Sequence, residues 1–251
     1  MTATYRIIPT LLIIVLFASC KKTEDPAQVP TPDVTQGLLK LSFTFQKTGL
    51  EYVVSDYLQD GTGRAVRFDK VRILFSNFRL LDANGIVTQT FPDKVILADV
   101  ANGILATSEL GMVNTGLLKR VAFDIGLDAT TNQMDPTQFT GPPLTDQTLW
   151  ISSSFGHKFL TLEGRVDSNG DGIVGGSEQA VTYQCITSAM LRTDEVNTHD
   201  PMPGGTSVVN IAIQMANILN GVNCNTTPTA VGSNATNAQL MSNLQTAVDL
   251  Y

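Results

Sequence analysis

The sequence predicts a mainly β fold, an antiparallel β-sandwich that ends in a short C-terminal helix. Apolar and polar residues alternate with a period of two in many short segments, which is typical of half-buried strands. Glycine, proline and Asn or Asp separate these segments, as in sandwiches of antiparallel sheets. A helical apolar stripe occurs only near the C-terminus. The length of 251 residues suits one large β domain.

The N-terminal segment predicts export and lipid attachment. Arg6 precedes an apolar run over residues 7–17, and Ala18-Ser19-Cys20 follows. A basic start, a short apolar run and small residues before a cysteine are typical of a lipoprotein signal peptide, here residues 1–19. The run is shorter than the ~20 apolar residues that span a bilayer. An ordinary signal peptide or an uncleaved anchor is the alternative.

Cleavage would make Cys20 the first mature residue, with its thiol acylated. We therefore expect a membrane-anchored lipoprotein of the bacterial cell envelope, in the outer membrane and either periplasmic or surface-exposed. Residues 20–37 contain Pro26, Pro30 and Pro32 among small polar residues, which predicts a lipid-anchored flexible tether. Its stretch Lys21-Lys-Thr-Glu-Asp25 resembles the charged surface-export signals of Bacteroidetes lipoproteins. The folded domain is expected over residues 38–251.

Strands are predicted along most of that domain. Leu39, Leu41, Phe43 and Phe45 alternate with polar residues and should share one buried face. A second strong segment, Val66 to Leu81, ends in the turn Asp82-Ala-Asn-Gly85. The further predicted strands are Lys94 to Ala98, Leu117 to Ile125, Leu149 to Ser152, Lys158 to Val166, Gln179 to Ile186 and Ser207 to Ile213.

Helical patterns come late in the sequence. Gln214 to Leu219 predicts a short turn or helix that Asn220-Gly221 would end. Thr236 with Gln239 three residues later predicts a capping box. Beyond it, Leu240, Leu244 and Val248 form one apolar stripe, with Met241 beside them, which should pack on the sheet.

The net charge bears on possible partners, and the cysteine content bears on disulfide formation. Removal of residues 1–19 leaves 232 residues (251 − 19) with 15 Lys and Arg against 23 Asp and Glu, a net charge of −8. An acidic chain of this kind argues against nucleic acid as a partner. With Cys20 acylated, Cys185 and Cys224 are left, and two thiols in an oxidising compartment predict one disulfide. The competing idea, a cysteine-based metal site, lacks a Cys-x-x-Cys motif.

A 12-residue segment carries the most specific chemical pattern. Residues 167–178 fit the calcium-loop motif D-x-[DN]-x-[DN]-G-x5-E. Gly172 would permit the sharp turn at position 6, and hard oxygen ligands at this spacing suit Ca²⁺. The expected ligands are Asp167, Asn169, Asp171, the carbonyl of Ile173, and Glu178. Because strand patterns flank the loop, it would be an isolated loop with a structural role. A polar β-turn without metal is the alternative.

Three motifs resemble the MbnP-like family, copper-binding periplasmic proteins and lipoproteins whose genes often neighbour a di-haem peroxidase. The resemblance rests on their order along the chain from about Leu38 onward. The motifs are Phe68-Asp-Lys-Val-Arg-Ile-Leu-Phe-Ser-Asn-Phe-Arg-Leu80 with Asn84-Gly85, Val121-Ala-Phe-Asp-Ile-Gly126 with Asn132, and Gly156-His-Lys-Phe-Leu-Thr-Leu-Glu-Gly164.

This resemblance implies copper chemistry that uses a histidine and an oxidised tryptophan. His157 follows the glycine where the family has His or Tyr. Trp150 is the only tryptophan, and it stands at least one residue away from the family position, which Ile151 or Ser153 occupies. Copper also favours imidazole and thioether ligands, so His199 and Met202 are further candidates that could join His157 across the fold. The implied partner is a di-haem cytochrome c peroxidase.

The sequence favours a non-catalytic metal-binding protein over an enzyme. It has no Gly-x-Ser-x-Gly elbow and no His-Glu-x-x-His motif. A hydrolase that uses Glu163 and Asp167 is the catalytic alternative. A calcium-stabilised surface lipoprotein that binds a protein or glycan partner is the other alternative.

Overall fold

A computed structural model of the chain describes residues 35–100 and 106–250. The strands in these residues are β1 (Gln36–Lys47), β2 (Leu50–Glu51), β3 (Leu58–Gln59), β4 (Ala65–Leu81), β5 (Val87–Asp99), β6 (Ala106–Asn114), β7 (Arg120–Ile125), β8 (Trp150–Ser152), β9 (Gly156–Val166), β10 (Gln179–Ile186), β11 (Arg192–Asn197), β12 (Thr206–Gln214), β13 (Thr229–Val231) and β14 (Val248–Leu250). The helices are α1 (Ala129–Gln133) and α2 (Ala235–Ala247), with short 3₁₀ turns between elements. The predicted mainly β class with a short C-terminal helix is confirmed.

The smaller sheet is built around β1. Its order is β14-β12-β1, and both β6 and β2 pair with β1 in antiparallel fashion. The pairing of β1 with β12 is parallel, from Leu38 opposite Thr206 to Gln46 opposite Gln214. A second parallel pair, β10 with β13, lies in the larger sheet, and the other pairings among the described strands are antiparallel.

The larger sheet is built around β4, in the order β11-β7-β4-β9-β10-β13. Ile73 pairs with both β9 and β5, and Phe75 pairs with both β7 and β5. Since a residue has one neighbour on each side, β9 and β7 follow one another along one edge of β4. β3 and β5 lie along the opposite edge.

The two sheets meet through aromatic side chains. The ring of Phe43 on β1 stacks on that of Phe75 on β4, with centroids 4.2 Å apart and planes 20° apart. Phe123 on β7 meets Phe75 edge-on at 5.6 Å. All three are fully buried, and the predicted inward face of β1, including Leu39 and Leu41, is buried with them.

The predicted strand boundaries agree closely for β1, β4, β9, β10 and β12. β1 begins at Gln36, two residues before the expected start of the domain. β7 begins at Arg120 and not at Leu117, because the Asp200 carboxylate accepts a hydrogen bond from the Leu118 amide (2.6 Å) and holds that segment as a loop. The predicted signal peptide, Cys20 and residues 21–34 of the predicted tether lie outside the described residues.

Six of the described strands escaped sequence prediction, and the two longest of them, β6 and β11, have polar patterns. β11 buries only Val196 of its six residues, since it is the last strand on its side of the larger sheet. β6 contains Glu109 and Gly111 and pairs with the edge of β1 through an irregular register. Neither strand therefore shows a clean apolar alternation.

The predicted cap of the C-terminal helix is wrong by two residues. α2 begins at Ala235, and the Asn234 side chain caps it by accepting a hydrogen bond from the Asn237 amide (2.9 Å). Leu240 and Leu244 are buried as expected. Val248 lies beyond the helix, in β14. Within the described residues, no helix is both long and apolar enough to cross a membrane.

The predicted disulfide is not formed, because Cys185 and Cys224 are separate buried thiols. The Cys185 thiol faces α2 and lies 3.7 Å from the Asn237 carbonyl oxygen, to which it donates. The Cys224 thiol faces the Tyr183 hydroxyl instead. Burial raises the pKa of Cys185 well above its ordinary value, and that of Cys224 to about 12. Neither thiol therefore becomes a reactive thiolate at neutral pH.

We expect the native protein to leave both buried thiols unmodified by a thiol-specific alkylating reagent. Denaturation without reductant should expose both to labelling, because no bridge protects them. Mass spectrometry of the peptides that contain Cys185 and Cys224 measures this labelling, and the peptide that contains Cys20 is analysed separately. Peptides that become labelled only after reduction would show that the bridge exists.

A second prediction concerns the contact between the sheets. Phe43→Ala removes a fully buried ring from the stack with Phe75 and should lower the free energy of unfolding by about 3–5 kcal/mol. The control, Val208→Ala on the neighbouring β12, truncates a side chain that is 46% exposed and should change it by about 0.5 kcal/mol or less. Urea unfolding curves measure both. Equal effects would contradict the assignment of Phe43 to the core.

Candidate functional site

The first candidate site is the loop of residues 167–178, which joins β9 to β10. Both carboxylate oxygens of Asp167 accept backbone hydrogen bonds, from Gly170 (2.6 Å), Asp171 (3.2 Å) and Gly172 (2.9 Å). Burial acts to raise the pKa of Asp167, but these amide donors outweigh it and hold the pKa below its usual value. Gly172 has a φ of +81°, the left-handed conformation expected at position 6 of a calcium loop.

The other predicted ligands of this loop converge on one another. The Asn169 amide donates to Asp171 Oδ2 (3.1 Å) and to Glu178 Oε1 (3.0 Å), so it bridges positions 5 and 12. The second oxygen of Glu178 accepts from the amide and the hydroxyl of Ser168. Val174 packs inward, and the Ile173 side chain is exposed. Side-chain hydrogen bonds thus connect three of the four predicted ligand side chains, Asn169, Asp171 and Glu178.

The flanks of this loop are strands, as the sequence predicted, and the loop is anchored from outside. Arg64, between β3 and β4, donates to the Asp167 carbonyl (2.7 Å). Across the described residues, no three His, Cys, Asp or Glu side chains stand close enough together to hold a metal ion as they are. The acidic groups of the loop are held apart by the Asn169 amide.

The second candidate site is the hairpin of β8 and β9, where Trp150 lies directly opposite His157. Directly paired residues of antiparallel strands project from the same face of the sheet. The register of the hairpin skips a residue between Trp150 and Ser152.

The His157 side chain is fully buried and carries one unpartnered nitrogen. Its Nδ1 lies 3.2 Å from the carbonyl oxygen of Asn132, which can only accept, so Nδ1 carries the proton. Nε2 is buried and has no hydrogen-bond partner of good geometry, although the Leu144 carbonyl lies in its direction. Burial lowers the pKa of His157, against the opposing influence of these carbonyls and the Asp135 carboxylate. The imidazole is therefore neutral at pH 7, with a free lone pair on Nε2.

Asn132, in α1, is the residue that sequence reasoning did not assign to the site. Its side-chain oxygen accepts from the His157 amide (2.7 Å), and its own carbonyl accepts from the ring. Gly156, with a φ of +86°, makes room for it, because a Cβ there would overlap the Asn132 amide. The glycine immediately before His157 was the available signal of this close approach.

Trp150 borders a small polar cavity on the outer face of the larger sheet. The cavity has a volume of about 170 Å³, and Lys70, Lys158 and Glu163 are among its lining residues. The indole is partly exposed, but its Nε1 is buried without a hydrogen-bond partner. The unpartnered Nε1 of Trp150 and the unpartnered Nε2 of His157 therefore belong to two residues that are paired across the β8–β9 hairpin.

The structure does not bring His199 and Met202 to this hairpin. Both are exposed and lie near the first residue of β7, where the Thr198 amide donates to the Lys119 carbonyl (2.8 Å). Asn132 follows the other end of β7, roughly 20 Å away at strand spacing. The structure therefore places His199 and Met202 apart from His157, because the length of β7 separates them.

The two carboxylates of the hydrolase alternative are each engaged elsewhere. Glu163 pairs with Lys70 (2.7 Å). Burial acts to raise its pKa, but Lys70 prevails and holds the pKa below its ordinary value. Asp167 accepts the three backbone hydrogen bonds of the calcium loop. Neither group has the raised pKa that a general acid needs.

Comparison with known proteins places this fold. Residues 36–238 match the MbnP family model. The structure is similar to that of MbnP from Methylosinus trichosporium, with a TM-score of 0.54 and 15% identity over 79% of this chain and 81% of that chain. No curated protein matches the chain. Since the family model covers most of the sequence, from β1 into α2, the chain belongs to the MbnP family.

Proposed function

We propose that this chain is a lipid-anchored, non-catalytic copper-binding protein of the bacterial cell envelope, with His157 as a copper ligand. The observation that carries the proposal is the buried, unpartnered Nε2 of His157 opposite Trp150. A buried polar atom without a partner calls for an explanation, and an absent ligand is one. Imidazole nitrogen is a good ligand for copper.

The surroundings of His157 suit metal binding in three ways. The hydrogen bond from Nδ1 to Asn132 fixes the tautomer that leaves Nε2 free, as second-shell partners of metal-bound histidines do. The lowered pKa removes competition from a proton at neutral pH. The Phe139 ring lies edge-on to the imidazole at 5.9 Å and shields it from solvent. Copper, when bound, would supply a redox-active cation at this position.

Trp150 is the proposed second participant. Oxidation of its indole to a kynurenine-type side chain would add nitrogen and oxygen donors opposite His157. The indole is partly exposed and borders the polar cavity, so it is accessible from the surface. A di-haem cytochrome c peroxidase is the proposed oxidising partner.

We further propose that the loop of residues 167–178 binds Ca²⁺ and thereby rigidifies the connection between β9 and β10. Rotation of the Asn169 amide would turn its oxygen, in place of its N–H donors, toward the space between Asp171 and Glu178. The N–H and C=O ends of this amide have nearly the same shape, and the rotation would give up the hydrogen bond that Asn169 Oδ1 now accepts from the Asp171 amide (2.8 Å). The Asp167 carboxylate is already pre-oriented by its backbone donors.

The second candidate function is a calcium-stabilised surface lipoprotein that binds a protein or glycan partner. One observation favours it. A cleft of about 760 Å³ adjoins the calcium loop, and Tyr57, Arg64 and Asp167 are among its lining residues. Its volume is within the usual range of ligand sites. An exposed tyrosine beside hydrogen-bonding side chains is suited to a polar ligand.

Replacement of His157 should abolish copper retention. For the chain without residues 1–20, loaded with Cu(I) and desalted, we expect about one copper per chain in the wild type. His157→Gln should reduce the affinity at least tenfold, because the free Nε2 is lost. The matched control His199→Gln changes an exposed histidine and should leave binding intact.

Elemental analysis and competition with a chromophoric Cu(I) chelator measure this retention, and circular dichroism confirms that each variant is folded. Equal copper loss in both histidine variants, or none in His157→Gln, would contradict the proposed site.

Calcium should raise the thermal stability of the protein through the loop. At a calcium concentration about 100 times the dissociation constant, binding contributes about 2.7 kcal/mol and should raise Tm by about 5 °C or more. Asp171→Asn should reduce this rise by more than half. Asp69→Asn, which changes an exposed aspartate outside the loop, should keep it.

Differential scanning calorimetry with calcium and with a chelator measures these shifts. If calcium does not change the Tm of the wild type, residues 167–178 form only a polar turn.

A further inference from the structure

Four exposed apolar side chains occur at the end of the domain where the chain enters β1. Their exposed fractions are 51% for Met112, 54% for Leu117, 67% for Met202 and 46% for Val208. We call these residues the tether-end patch. Single exposed apolar residues are ordinary in proteins, so their grouping is the observation that matters.

Backbone contacts hold the members of the patch around the first residues of the domain. Met112 pairs with Leu38 across β6 and β1, and Leu38 pairs with Thr206 on its other side, two residues before Val208. The loop that carries Met202 is fixed by the bond from the Gly204 amide to the Gln36 carbonyl (2.8 Å).

Leu117 is tied to the same loop. The amide of its neighbour Leu118 donates to the Asp200 carboxylate (2.6 Å), two residues before Met202. The Thr115 amide also donates to the Thr35 carbonyl (2.8 Å). The patch therefore surrounds the entry point of the chain.

Side chains of opposite charge lie near one another at the rim of the patch. Lys119 and Asp200 form an ion pair of 3.2 Å, and Lys40 lies opposite Glu109 in the pairing of β1 with β6. An apolar surface with a neutralised rim can approach a lipid headgroup region with little separation of charge.

The acyl chains expected on Cys20 would place a lipid bilayer near this patch. Cys20 precedes Thr35 by 15 residues (35 − 20). A chain of that length spans about 20 Å on average and at most about 50 Å. If Cys20 carries the acyl chains, Thr35 and the side chains around it are the part of the domain nearest to the bilayer.

The opposite end of the domain also carries exposed apolar residues, which provide a comparison. Leu50 is 73% exposed and lies just past the far end of β1, roughly 35 Å from Gln36 at strand spacing. Tyr57 and the calcium loop are at this end too, since both border the cleft that reaches Lys47. Both ends of the domain therefore carry exposed apolar side chains, and the site at which the chain from Cys20 enters distinguishes one end from the other.

We propose that the tether-end patch rests on the membrane surface, with its methionine and leucine side chains in the interfacial region of the lipids. This inference rests on the proposed lipid anchor at Cys20. In this orientation, the calcium loop and its cleft point away from the bilayer, roughly 35 Å above it by the length of β1. That end is then free to meet a partner.

Tryptophan quenching by brominated lipids tests the orientation. The full lipoprotein is reconstituted into phosphatidylcholine vesicles with and without bromine on the acyl chains. Met202→Trp and Leu117→Trp report on the patch, and Leu50→Trp reports on the opposite end as the matched control. The signal of Trp150, measured in the wild type, is subtracted. We expect the fractional quenching at positions 202 and 117 to be at least twofold greater than at position 50.

Flotation of the same samples separates the two proposals. A chain that floats with the vesicles but is quenched equally at both ends, or more at position 50, overturns the orientation and leaves the anchor intact. A chain that does not float overturns the anchor, and the orientation with it. Circular dichroism checks that the three variants, all at exposed positions, keep the wild-type fold.

Discussion

The rest of the structure depends on the pairing capacity of one strand, β4. Its 17 residues carry β9 and then β7 along one edge and β3 and then β5 along the other. Near its middle, Phe75 stacks on Phe43 and joins the larger sheet to the smaller one. Both candidate sites are positioned by this strand, because β4 pairs with β9. His157 lies at the start of β9, and the calcium loop follows its end. A disturbance of β4 would therefore reach both sites.

The hairpin site illustrates how a polar group can be buried without being satisfied. One nitrogen of His157 is held by Asn132, and the other is left open in a closed environment. Desolvation keeps the ring neutral, so the same burial that isolates Nε2 also preserves its lone pair. The Asn132 side chain packs against Gly156 and accepts a hydrogen bond from the His157 amide, while its carbonyl accepts from the ring, so one residue holds both the backbone and the imidazole of His157. The proposed metal function and the local packing are thus consequences of one arrangement.

The two ends of the domain differ in the side chains that they expose. The end that receives the chain has paired charges and exposed methionine and leucine side chains. The other end has the acidic loop, the cleft and the exposed Leu50. The proposed copper site lies between them on a β8–β9 hairpin that peels away from β4. With the proposed lipid tether, such polarity would present one end to lipid and the other to a partner.

The sequence by itself determined the β class, the boundaries of the strongly alternating strands and the loop of residues 167–178, because these features are local. Alternation along β1 needs only the inward side of one strand, and the calcium motif needs only its own twelve residues. The weakly patterned edge strands β6 and β11 escaped prediction, since their place is set by the partners they pair with. The tertiary structure alone decided that Cys185 and Cys224 are separate thiols and that Trp150 pairs with His157 across the β8–β9 hairpin. It also placed His199 away from that hairpin. These relations depend on register and strand length between segments that are distant in sequence.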